Sequence, residues 1–220
     1  MSDLISIFLP EWPMLAAFGV AAIVLAITPG PDMALFLSRA INFGRIHGVV
    51  SLLGAMTGIL IHTAFVVFGV SVLITTAPIA FLVLKVVGAL YLLWLAFSAI
   101  RAGHNFSLSD SKNAVPPKLI KSYWTGLGIN LLNPKVVLFF ITFLPQFVSS
   151  ADPNAAYKLF SLGILFNLIS LPMLIAMIYS ADRLAVALTK SKWIGRAMNY
   201  GFAAVFASFA AIILTAQARH

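Results

Sequence analysis

The sequence feature that most constrains the fold is a break inside the first long apolar segment. Apolar residues run from position 14 to position 37, and the sequence TPGPD at positions 28–32 interrupts them. Proline lacks a backbone donor and its ring crowds the preceding turn, so two prolines around a glycine separate two helices. Inside a membrane the freed backbone groups must be satisfied by protein or by water in a cavity, and such breaks are typical of transporter sites. We therefore predict two half-helices that meet at a site.

The composition predicts an integral membrane protein. Hydrophobic residues make up 61% of the 220 residues and charged residues only 9%, and the mean hydropathy is +1.03. A helix needs about 20 apolar residues to cross a bilayer. The stretches that reach this length are 14–38, 48–75, 78–100, 123–149, 158–180 and 194–217. We predict an all-α polytopic membrane protein with six transmembrane helices, of which the first and fourth are broken.

The loops between these stretches differ in positive charge, which predicts the orientation. Ten basic residues flank the loops after the first, third and fifth stretches: Arg39, Arg45, Arg101, Lys112, Lys118, Lys121, Arg183, Lys190, Lys192 and Arg196. The opposite side has two, Lys158 and Arg219. Because basic loops stay in the cytoplasm, both termini are expected outside the cell.

The two halves of the chain resemble each other. The sequence GPDMALFL at 30–37 matches NPKVVLFF at 133–140 in its proline, the charge after it and a Leu-Phe pair. Three spans in each half would make the halves run in opposite directions, as inverted repeats do. We predict one transporter domain over residues 1–220, in which a flexible cytoplasmic linker, 104–121, joins the repeats 1–103 and 122–220.

Asp32 and Lys135 are the charged residues that follow the two breaks. Asp32 lies in a first helical turn, where helix amides stabilise a carboxylate, but a polar cap without charge would cost less in a membrane. Lys135 follows Asn133 and Pro134 at the positive end of a helix, so its charge needs an anion. Either the two residues form a structural ion pair, or they bind the opposite charges of an amino acid.

Further polar residues lie within the spans. His62 shares one face of its helix with small residues, Ser51, Gly54, Ala55 and Gly58, and this spacing predicts close helix packing. A lone buried histidine more often serves structure than proton transfer. Asn130 and Asn167 are candidates for the lining of a cavity. The alanines at 203, 207 and 211 form a small-residue face that would allow a homodimer.

Other classes of function find no support in the sequence. No phosphate-binding loop, catalytic constellation or metal-ligand spacing is present, and the chain has no cysteine. The net charge of +8 lies in short loops, where it sets topology, so we expect no nucleic-acid partner. We expect no enzyme activity, no cofactor and no bound metal; the partners would be the lipid bilayer, an amino-acid substrate and protons.

The two broken segments, TPGPD and LNPK, together with the chain length and the six apolar stretches, resemble the LysE/RhtB family of amino-acid exporters. The resemblance implies a bacterial inner-membrane protein that exports basic amino acids, or homoserine, threonine and leucine, by proton antiport. An ion or divalent-metal exporter is the alternative, because the wider superfamily includes such proteins. The substrate and proton pathway is predicted at Thr28, Pro29, Gly30, Pro31, Asp32, Asn133, Pro134 and Lys135, with His62, Asn130 and Asn167 as further candidates.

Overall fold

The computed structural model describes residues 6–70, 77–101, 115–149, 152–184 and 192–217. These residues form helices, and no strand occurs among them. In chain order the main helices are α1 (Trp12–Ile27), α2 (Pro31–Phe43), α3 (Arg45–Phe65), α4 (Pro78–Arg101), α5 (Leu119–Leu132), α6 (Pro134–Leu138), α7 (Ala155–Tyr179) and α8 (Lys192–Gln217). A π-helical turn, Val66–Val70, extends α3; a second π-helical turn, Phe139–Phe143, and a 3-10 turn, Leu144–Phe147, extend α6.

The first predicted break separates α1 from α2. The chain bends by 52° between them. Thr28 and Gly30 adopt extended backbone conformations, and Pro31 begins α2. No side chain caps the start of α2. The prolines therefore act as the sequence predicts, and they leave carbonyl groups near the break without a partner inside either helix.

The second predicted break separates α5 from α6, and here the bend is 54°. Asn133 lies between the helices in an extended conformation, and Pro134 begins α6. The Oδ1 atom of Asn133 accepts a hydrogen bond from the backbone N–H of Lys135 at 3.1 Å, as an N-cap does. The first and the fourth apolar segments are thus both broken helices.

The helices of the two halves pack on one another. The half-helix α1 lies against α7, and the half-helix α5 lies against α3 along much of its length; α3 also contacts α7, and α4 contacts α8. A Cβ atom added to Gly54 would collide with the carbonyl oxygen of Tyr123, and one added to Gly126 would collide with that of Ser51. The small-residue face of α3 therefore brings two backbones into direct contact, as its spacing predicts.

Several helices have the length and apolarity of membrane spans. Among the described residues, Arg45–Gly69 and Ala155–Tyr179 qualify as continuous helices of 25 residues, and each broken pair qualifies as one further span. The protein is accordingly a multi-pass membrane protein. The end of the stretch predicted at 48–75 and most of the linker at 104–121 lie outside the described residues. Six spans in two inverted repeats remain a prediction.

Two of the three alanines on the small-residue face of α8 pack inside the protein. Ala203 is 3% exposed and belongs to the main apolar cluster, against which Ala207 also packs. Phe139, Phe140, Phe143 and Phe206 lie at the centre of that cluster. Ala203 and Ala207 thus contribute to the protein's own core, whereas Ala211 is exposed, and a homodimer stays a prediction.

Candidate functional site

The two helix breaks meet at a cavity of about 40 Å³. Its polar lining residues are Thr28, Asp32, Asn130 and Lys135. A space of this size holds a few water molecules. Pro29, Gly30, Pro31, Asn133 and Pro134 are not part of its lining; they shape the two breaks that bring the polar residues together.

Asp32 lies in the first turn of α2, and within the described part of the chain one of its two carboxylate oxygens accepts a hydrogen bond while the other does not. Its Oδ2 atom accepts a hydrogen bond of 2.8 Å from the Nδ2 atom of Asn130. Its Oδ1 atom is buried and has no hydrogen-bond partner among the described residues. An unpaired carboxylate oxygen in an apolar region is costly, so this atom is the obvious acceptor for a bound cationic group.

Lys135 binds the backbone of the other broken helix. Its Nζ atom donates to the carbonyl oxygens of Thr28 at 3.0 Å and Leu25 at 3.4 Å. The carbonyl of Leu25 is free because the residue four positions later, Pro29, has no N–H to donate. These carbonyls carry the partial negative charge of the C-terminal end of α1. Backbone carbonyl groups thus supply the negative partial charge that stabilises Lys135 here.

Asp32 and Lys135 do not form the ion pair that the sequence leaves open. No atoms of the two charged groups come within 4.0 Å of each other, and the ion pair found among the described residues is Lys158–Asp152. The two charges still interact electrostatically through the site. Each charge has its own partners, so the purely structural pair is the weaker of the two hypotheses.

Gly30 allows Lys135 to approach the break. Its φ of −175° is extended backbone that any residue adopts, so conformational freedom is not the reason for a glycine here. A Cβ atom at this position would lie 3.2 Å from the Nζ atom of Lys135 and 3.6 Å from its Cε atom. The glycine therefore gives the ammonium group room beside the carbonyl of Thr28.

The three further candidates have different positions. Asn130 lines the cavity and binds Asp32. The ring of His62 is 5% exposed and lies behind the lining, with Nε2 3.4 Å from the carbonyl oxygen of Asn130. Asn167 also lies outside the lining, and its Nδ2 atom donates to the carbonyl of Met56 at 3.2 Å, which ties α7 to α3.

The apolar wall of the cavity consists of residues for which the sequence holds no signal. Apolar residues on apolar helices look alike in sequence, and only the packing selects those that face the site. This wall includes Met33, Phe36, Met56, Ile59, Phe166 and Leu174. The described residues contain no group of three or more histidine, aspartate or glutamate side chains that could hold a metal ion.

Comparison with known proteins identifies the family of the chain. Residues 23–217 match the LysE type translocator family. An uncharacterized membrane protein of Bacillus subtilis, YrhP, is 31% identical over 208 residues, which are 91% of this chain and 94% of the relative. The homoserine/homoserine lactone efflux proteins of Salmonella typhimurium and Salmonella typhi are each 29% identical over 209 residues, covering 93% of this chain and 96% of the relative. No solved structure matches the chain. The broken helices and the cavity between them therefore belong to a member of the LysE type translocator family.

Proposed function

We propose that the protein exports amino acids from the cytoplasm and binds the substrate ammonium group at Asp32. The observation that carries this proposal is the buried Oδ1 atom of Asp32, which has no hydrogen-bond partner among the described residues and belongs to a residue of the cavity lining. An ammonium group supplies the positive charge and the N–H donors that such an oxygen lacks.

The substrate carboxylate binds Lys135 in this proposal. An ammonium group has three N–H donors, and the carbonyls of Thr28 and Leu25 take two of them. The third donor remains for a carboxylate oxygen. A zwitterion thus matches a site that has one carboxylate and one ammonium group, and it brings no net charge into the membrane.

The cavity favours a substrate with a neutral side chain. A basic amino acid has a second positive charge, and Asp32 is the acidic residue in the cavity lining. The homoserine and homoserine lactone named for two of the relatives share the α-ammonium group, which is the group that Asp32 would bind. We propose homoserine, threonine and leucine as the substrate class.

Transport requires the site to open alternately to the two sides of the membrane. A cavity of about 40 Å³ is smaller than any amino acid, so substrate binding has to widen it. The pairing of α1 with α7 and of α5 with α3 is the reciprocal pattern that inverted repeats produce, and it supports such an arrangement here. Asp32 releases a proton when it binds the ammonium group and takes one up on the return, which couples export to proton entry.

The test is an efflux assay on cells of a bacterial host that are loaded with labelled homoserine, threonine, leucine and lysine. We expect faster efflux of the neutral amino acids with the protein than without it, and no gain for lysine. Efflux should slow when the proton gradient is dissipated. The Asp32→Asn variant, present in the membrane at the same level, is the control, and its efflux should be about ten- to a hundredfold slower. No efflux of any amino acid from cells that contain the wild-type protein would overturn the proposal.

The proposed location is the bacterial inner membrane with both termini outside. Single cysteines at positions 109 and 190 of this cysteine-free chain should be protected from an impermeant thiol reagent in intact cells, and one at position 2 should react. Reaction at position 109 without permeabilisation would reverse the orientation.

A further inference from the structure

Asn130 is a buried side chain whose orientation is determined by charge. It is 2% exposed, and its Nδ2 atom donates to the Oδ2 atom of Asp32. If the amide were rotated, its Oδ1 atom would face an ionised carboxylate, and two acceptors would repel each other. The ionised form of Asp32 therefore requires the nitrogen of Asn130 to face it.

The other side of the amide rests on Gly58 of α3. A Cβ atom added to Gly58 would collide with the Oδ1 atom of Asn130, and it would lie 3.0 Å from Cγ and 3.1 Å from Cβ. Since the whole side chain is in the way, no rotation of a single bond relieves the collision. A side chain at position 58 therefore requires Asn130 to shift, and with it the donor to Asp32.

Full hydrogen bonding of its own amide is not the reason why position 130 holds an asparagine. Its Oδ1 atom is buried and has no hydrogen-bond partner among the described residues, which is unfavourable for an amide. An apolar side chain would fill the same space without that cost. The contact that only a donor at this position provides is the hydrogen bond to Asp32, and this contact is the physical reason for an asparagine here.

The charged and titratable side chains near Asp32 have other partners, so Asn130 is the donor to its carboxylate. Lys135 is engaged by the carbonyls of α1, and His62, one helical turn beyond Gly58, approaches the backbone carbonyl of Asn130 instead of Asp32. Asn130 donates the hydrogen bond of 2.8 Å to the Asp32 carboxylate, with which the side chain of Asn133 also interacts.

We propose that Gly58 and Asn130 are positioning residues that together set the rotation of the Asp32 carboxylate. Asn130 holds Oδ2, so that Oδ1 is presented to the substrate ammonium group; Gly58 provides the space that Asn130 occupies. The proposal rests on the export function proposed above; it adds Gly58 to the candidate residues and gives Asn130, which lines the cavity, a role in orienting Asp32.

The experiment compares glycine-to-alanine variants on the two helices that meet at Asn130. In Gly58→Ala, the apparent KM for efflux should rise about tenfold or more, because a hydrogen bond to a charged group is lost or distorted. Gly128→Ala is the matched control: it lies on α5 near Asn130, and a Cβ there meets nothing within 4 Å. Its KM should equal that of the wild type.

A second variant keeps the test decisive if Gly58→Ala fails to insert. Asn130→Ala removes volume and creates no collision, and its KM should rise to a similar extent. In Gly58→Ala/Asn130→Ala, the second change should add little, since Gly58 acts through the side chain that is already gone. A structural role alone would lower the amount of protein and leave the KM unchanged.

The outcomes separate this inference from the proposed function. Wild-type efflux together with an unchanged KM in Asn130→Ala would overturn the positioning role and leave the export function standing. Independent, additive effects of the two substitutions on KM would overturn the coupling between Gly58 and Asn130. Absence of wild-type efflux would overturn both proposals.

Discussion

The two helix breaks use the same chemistry but complete it in different ways. In each break a proline removes the N–H that would bind the carbonyl four residues earlier, that of Leu25 in the first and that of Asn130 in the second. The carbonyl of Leu25 accepts from Lys135 instead, whereas the carbonyl of Asn130 accepts from the backbone N–H of Asn133 at 3.1 Å and lies next to His62. Each charged residue therefore has its partner on the half-helix that leads into the other break.

The difference between the breaks lies in what each leaves open. The Oδ1 atom of Asn133 caps the second break, and the ammonium of Lys135 already has two carbonyl partners, but the buried Nδ2 atom of Asn133 has no hydrogen-bond partner among the described residues. The first break has no side-chain cap, and the carboxylate of Asp32 keeps one oxygen without a partner. Within the part of the chain that the structure describes, the first break thus leaves a buried acceptor unpaired and the second a buried donor, and in our proposal the acceptor at the first break binds the substrate ammonium group.

The largest effect is expected when the first break is removed. Replacement of Pro29, Gly30 and Pro31 by alanine allows α1 and α2 to join, so the carbonyls that bind Lys135 pair within the helix. Efflux should be abolished although the protein reaches the membrane. Pro172→Ala is the control, because Pro172 lies exposed within the continuous helix α7, where no break depends on it. Normal efflux by the triple variant would show that the first break is not the site.

The next effect concerns the two charges. Asp32→Asn and Lys135→Met should each reduce efflux about ten- to a hundredfold, because each removes a charged partner of the substrate. The double variant should insert and stay inactive, since the two groups have separate partners and do not neutralise each other by direct contact. Recovery of near-normal efflux in the double variant would instead assign them to a structural pair.

A smaller effect is expected at the cap of the second break. Asn133→Ala should lower the free energy of unfolding by about 1 kcal/mol, the usual cost of a lost N-cap. Asn133→Ser keeps an acceptor at that position and should retain most of the stability. Thermal unfolding in detergent measures the difference, and equal stability of the alanine variant and the wild type would contradict the capping role.

The smallest effect involves the direct ion pair outside the breaks. The hydrogen bond from Lys158 lowers the pKa of Asp152 below its usual value, and the N–H of Asn154 adds to this. A lowered pKa stabilises the folded protein at neutral pH, and this stabilisation disappears as the pH falls through the folded-state pKa. Asp152→Asn should therefore cost about 0.5 kcal/mol near pH 7 and progressively less as the pH falls below 3.8, the usual pKa of an aspartate, and through the lower pKa of the folded state. A constant difference between pH 7 and pH 3 would contradict the assignment.

Much of this arrangement is predictable from sequence because proline, glycine and isolated charges have strong local effects. The helix breaks follow from TPGPD and NPK, and the close contact of α3 with α5 follows from the glycines on one face of α3. The partners of the charges do not follow in this way. The binding of Lys135 to the carbonyl of Thr28, and of Asn130 to Asp32, joins positions about a hundred residues apart. Only the packing of the helices brings them together.

The contact between α3 and α5 has a mechanical consequence. At Gly54 and Gly126 the backbones themselves touch, with no side chains between them to change rotamer. Two helices joined in this way cannot slide along each other, because carbonyl oxygens would run into the neighbouring main chain. The two helices therefore behave as one rigid unit, with one helix from each half of the chain. Any motion that widens the cavity must then occur between helices that are separated by side chains. The pair of helices α3 and α5 stays rigid during that motion, and the other helices move relative to it.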